Sequence, residues 1–82
     1  MKFKINDIII SEVTNRIYIV ADIGEFEYFL TYLAHKRELN NDIYVAEISR
    51  EITDAYNIST TNCVCKKFHL TLEQINKMLV FK

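Results

Sequence analysis

The sequence predicts an α+β domain: a small antiparallel sheet of about three strands packed against about three helices, in the order β-β-α-α-β-α. Three observations carry this. β-Branched and aromatic runs fill the first twenty residues, apolar side chains recur at three- and four-residue steps through 26–34 and again through 44–56, and a capped apolar stripe closes the chain. With 82 residues, half of them hydrophobic and 26% charged, the chain suits one folded domain over 1–82 and argues against disorder.

Residues 2–21 read as a β-hairpin. Phe3 and Ile5 alternate with Lys2 and Lys4, Ile8-Ile9-Ile10 follows Asn6-Asp7, and Ile17-Tyr18-Ile19-Val20 forms the second apolar run. Thr14-Asn15-Arg16 supplies the reversal, since Asn tolerates the left-handed conformation of a tight turn. Asn6-Asp7 interrupts the alternation as a bulge or a separate turn.

A helix is expected over 24–39. Asp22 stands as its cap with Glu25 at capping-box spacing, and Phe26, Phe29, Leu30, Leu33 and Ala34 form the buried face. On this winding His35 lies opposite Phe26, and Tyr28, Tyr32 and Leu39 cluster into a second stripe opposite the core face, either an outward contact surface or the second buried face of a helix sandwiched within the domain. A second helix is expected over 43–56, where Tyr44, Val45, Ile48, Ile52, Ala55 and Tyr56 share one arc and Glu47, Glu51 and Asp54 line the other. The competing pattern is a strand at 43–48 followed by a short helix, because Ile43-Tyr44-Val45 has strand propensity.

After the polar loop 59–62, residues 63–70 alternate as a strand, with Val64, Phe68 and Leu70 on one parity. Thr71 caps a last helix over 72–80, Gln74 sits at the reciprocal position, and Leu72, Ile75 and Leu79 form its apolar face. The expected core is Ile17, Ile19, Phe26, Leu30, Leu33, Ile48, Ile52, Phe68, Ile75 and Leu79.

Little in the chain points to catalysis. Gly24 is the only glycine, so there is no phosphate-cradling loop, and neither a nucleophile elbow nor a paired carboxylate can be nominated. No cofactor is implied. Cys63, Cys65 and His69 share strand parity, but His69 lies about 13 Å beyond Cys65 on a straight strand, so the thiols are expected to be structural rather than metal ligands. Two cysteines make no disulfide framework, no leader pattern opens the chain and no apolar run approaches a membrane span, which together suit the cytoplasm.

Charge is uneven. The net charge of -1 divides into -1 over 1–41, -3 over 42–60 and +3 over 61–82. Glu47, Glu51 and Asp54 would repel phosphate, which disfavours nucleic acid as a partner. Facing outward, the stripe of Tyr28, Tyr32 and Leu39 instead suits a protein contact, self-association included, with the three acids as a secondary surface. The expectation is a small non-enzymatic protein-binding module. Abundant Ile, Lys, Asn, Tyr and Phe, all favoured by A/T-rich codons, suit an inhibitor or regulatory factor of a phage or other mobile element. A nucleic-acid-binding regulator is the alternative, and a small enzyme the second.

Overall fold

Ile8-Ile9-Ile10 and Ile17-Tyr18-Ile19-Val20 are apolar at every position, the pattern of strands buried on both faces. The computed structural model, which describes residues 2–39, 42–47 and 53–80, places them at the heart of a sheet. Its elements are β1 (Ile8–Ser11), β2 (Arg16–Ile23), β3 (Glu27–Leu39), β4 (Asp42–Glu47), β5 (Thr53–Asn57), α1 (Ile58–Val64), β6 (Cys65–Lys67), α2 (Leu72–Met78) and β7 (Leu79–Val80). The sheet order is β6-β1-β2-β3-β4-β7, antiparallel except for the β4–β7 pair. β5 also pairs with β3, along the edge that β4 occupies further on.

The chain is therefore mostly sheet with two seven-residue helices among the described residues, and the expected balance of three strands against three helices is overturned. The 24–39 segment is the main correction: it is a thirteen-residue strand. Of the 43–56 segment, residues 43–47 and 53–56 lie in strands, so the helix expected there is also corrected. β4 agrees with the first half of the competing pattern, whereas β5 replaces the short helix that would have followed. Ile48 and Ile52 lie outside the described residues. The strand expected over 63–70 shrinks to Cys65–Lys67, because Cys63 and Val64 end α1.

The hairpin forms with its first strand confined to Ile8–Ser11, and the last helix is shorter than the expected 72–80: α2 ends at Met78, and Leu79–Val80 form β7, paired with β4. Asn15 takes a left-handed φ of 60° at the end of the β1–β2 loop, and its N–H bonds the Ser11 carbonyl at 2.9 Å. Asn6 likewise has φ 73°, in a turn that bonds back to Val20. Thr71 and Gln74 form a reciprocal capping box: the Thr71 N–H donates to Gln74 Oε1 at 2.8 Å, and the Gln74 N–H to Thr71 Oγ1 at 3.2 Å.

Each helix covers one face of the sheet. On the α1 face Phe3, Ile9, Tyr18, Val20, Tyr28, Leu30 and Cys65 are buried, with Ile58 and Val64 of α1 against them. On the α2 face Ile10, Ile17, Leu33 and Ala34 surround Ile75. Of the expected core, Ile17, Leu30, Leu33 and Ile75 are buried, and Ile19 and Phe68 are partly so. Phe26 is not: it sits in the β2–β3 turn with 68% of its surface exposed. No helix among the described residues is long and apolar enough to cross a membrane.

Candidate binding groove

Alternation along β2 puts Arg16, Tyr18 and Val20 on the α1 face, and register carries Tyr28, Leu30 and Tyr32 of β3 beside them. Tyr56 of β5 pairs with Tyr28 and extends the row. The Tyr18 ring lies 5.5 Å from both Tyr32 and Tyr56, centroid to centroid, and the Arg16 guanidinium stands over Tyr32 at 5.2 Å. Tilted ring pairs and a cation over a ring are favourable arrangements. Tyr18 is buried, Tyr32 and Tyr56 are half-buried, and Arg16 is exposed.

Between this row and α1 runs an open groove of about 420 Å³. Ser11, Thr14, Arg16 and Tyr18 form one wall, Thr60, Thr61, Val64 and Cys65 the other, with Leu30, Ala55, Tyr56 and Asn57 completing it. The N-cap that starts α1 fixes the second wall: Asn57 Oδ1 accepts the Thr60 N–H at 3.0 Å. Lys2 holds the other end of the helix, its ammonium donating to the Asn62 and Cys65 carbonyls at 3.1 Å each.

The electrostatics are one-sided. Burial, then the neighbouring Tyr56 hydroxyl, pushes the Tyr18 phenol up to about 12, while Arg16 pulls it back. Burial raises Tyr32 as well, and Arg16 and Arg37 oppose it. The Cys65 thiol is raised by burial, against the pull of Lys2. At neutral pH the phenol and thiol keep their protons, and among the described residues Arg16 is the one charged residue in the groove lining. A thiol raised in this way is a poor nucleophile, and among the described residues no imidazole or carboxylate lines the groove.

A second hollow of about 520 Å³ lies by the amino end of α2, between Ile8, Ile19, Phe68 and Leu70. Its charged residues serve one another: Lys67 Nζ is 3.7 Å from Asp7 Oδ2. The rest of the lining is an apolar bed edged by the uncharged side chains of Asn6 and Thr71 and by His69.

The residues expected to form a contact surface separate. Tyr28 is completely buried and bonded internally, so its half of the stripe is interior. Tyr32 stays half-buried beside Arg16 at the rim. Leu39 lies at the far end of β3, in register with Asp42. Glu47 pairs with Ala34, and the exposed Asp54 with Leu30, on the same edge of β3 and about 13 Å apart along it. Glu51 lies outside the described residues. Cys63 is exposed on α1, Cys65 buried at the start of β6, and His69 exposed beyond that strand, so the common parity assumed for them does not exist. Among the described residues no group of three or more His, Cys, Asp or Glu is placed to hold a metal ion. Arg16 was missed entirely, and only its two-residue spacing from Tyr18 hinted at a shared face.

No family model, curated protein or solved structure matches the chain.

Proposed function

We propose that the protein is a small non-enzymatic protein-binding module whose contact surface is the groove rimmed by Arg16, Tyr32 and Tyr56. The observation that carries this is the Arg16–Tyr32–Tyr18–Tyr56 row, carried on the strands of a sheet, with Arg16 exposed at one end and Tyr56 half-buried at the other. Tyr and Arg supply a disproportionate share of interface energy, because they offer large area and directional donors with few rotatable bonds to freeze. A regulatory or inhibitory role for a phage or other mobile element fits the size and composition of the chain.

The test is affinity capture on the immobilised full chain from a low-GC bacterial lysate, run beside an Arg16→Glu variant. The expected result is a protein retained by the native chain, released by the variant and unaffected by nuclease. Tight, nuclease-sensitive retention of nucleic acid with no protein would overturn the reading in favour of a nucleic-acid-binding regulator.

A further inference from the structure

We infer that the groove receives a carboxylate side chain, Asp or Glu, from an extended acidic segment of the protein partner. The inference deepens the protein-binding reading and rests on it. Its first support is charge. Among the described residues Arg16 is the one charged residue in the groove lining, and it is cationic. A guanidinium presents paired N–H donors that match the two oxygens of a carboxylate.

The second support is independent of Arg16. Thr61 lines the opposite wall, is only 4% exposed, and its hydroxyl has no hydrogen-bond partner among the described residues. A buried hydroxyl without a partner is costly, so an occupant that satisfies it gains affinity. Ser11, 6% exposed on the first wall, accepts the Val13 and Thr14 N–H groups through Oγ, both at 3.3 Å. With its lone pairs engaged, it has a proton left to donate. One cation and two buried hydroxyl-bearing residues thus line the same groove.

The charge count favours a carboxylate over a phosphoryl group. One guanidinium neutralises one negative charge, whereas a phosphate brings about -1.5 to -2 and is met by several cations or a nest of backbone N–H groups. The apolar part of the lining, Leu30, Ala55 and Val64, suits a peptide better than a free anion, and about 420 Å³ holds two or three residues.

The experiment titrates the full-length protein with an N-acetylated, C-amidated heptapeptide of alternating Glu and Leu, its Gln counterpart, and free glutarate, followed by amide chemical shifts and calorimetry. The expected result is saturable binding of the Glu peptide, with shifts centred on Arg16 and Thr61 and affinity at least about tenfold above the Gln peptide and glutarate. Arg16→Gln should remove that preference. Thr61→Val should weaken the Glu peptide, and Thr61→Ser should restore it. If Thr61→Val fails to fold, the exposed Arg16→Gln variant decides. Equal binding of both peptides, or shifts centred on Phe68, would overturn the carboxylate site and leave protein binding standing. Glutarate binding as tightly as the peptide would overturn the peptide source. Failure of protein binding itself shows separately, as a lysate partner indifferent to Arg16→Glu or absent altogether.

Discussion

Tyr28 is fully buried, and its hydroxyl ties the amino-terminal segment to α1, accepting the Phe3 N–H at 3.3 Å and donating to Asn62 Oδ1 at 2.7 Å. Its ring also packs on Phe3 at 5.7 Å. One phenol therefore fastens the segment before β1 to the wall of the groove. Tyr28→Phe keeps the ring and strands both partners, so it is expected to lower stability by about 1–3 kcal/mol in denaturant unfolding. Tyr28→Ala adds a cavity and should cost about 3–5 kcal/mol. A Tyr28→Phe variant as stable as the native chain would show that the bridge contributes nothing.

The β1–β2 loop depends on Asn15 in the left-handed region, where a Cβ-branched side chain is strained. Its backbone serves two strands, since the Asn15 carbonyl accepts the Lys36 N–H at 2.9 Å. Asn15→Gly should be close to neutral, and Asn15→Val should destabilise by about 1–2 kcal/mol. Thermal melts of the two variants check this. Equal loss in both would place the cost in the side chain rather than in φ.

These two sites differ in how visible they were. Asn15 announced its turn because a lone Asn between two β-branched runs has few other uses. Tyr28 misled because β3 imitates a helix. Its stretch Tyr28-Phe29-Leu30-Thr31-Tyr32-Leu33 is apolar or β-branched throughout, as a strand covered on both faces must be, so alternation is lost. Leu33 then falls out of register between Tyr32 and Ala34, which slips the buried phase by one residue. A period of two with a slip reads as steps of three and four. α1 was hidden for the opposite reason: Ser59-Thr60-Thr61-Asn62 has poor helix propensity, and the helix exists through its Asn57 cap and its packing on the sheet. The groove lies between strands that include β3 and the helix α1, and was illegible for both reasons.

Stability should fall at both ends of the pH range. Tyr18 holds its proton more tightly in the folded chain, at about 12 against an ordinary value near 10. Folding therefore keeps its full contribution below about pH 10 and loses it as pH rises toward 12. Tyr18→Phe should flatten that alkaline slope. Burial, with Arg37 and Arg16 nearby, lowers His35, so the neutral imidazole is favoured and stability is lost as pH falls from about 6.5 through its folded value. His35→Gln should remove that acid component. Denaturant midpoints measured from pH 5 to 12 check both, and unchanged slopes in the variants would assign the pH dependence to other groups.

α2 has seven residues, too few to stand alone in water, so its existence must come from its first turn and its anchor. The Thr71–Gln74 box satisfies the first turn, and Ile75, with no exposed surface, sits in the cluster of Ile10, Ile17, Leu33 and Ala34. Thr71→Ala should cost about 1 kcal/mol, and Ile75→Ala about 2–5 kcal/mol. Because the two Thr71–Gln74 bonds are reciprocal, Thr71→Ala and Gln74→Ala should be less than additive when combined. The distinguishing measurement is amide hydrogen exchange. Thr71→Ala should raise exchange in α2 alone, leaving β1 and β2 protected, whereas Ile75→Ala should raise exchange in the sheet as well, since it empties the core beneath them. Uniform loss of protection in both variants would mean that α2 and the sheet open as one unit, and that the cap stabilises the whole fold rather than a local turn.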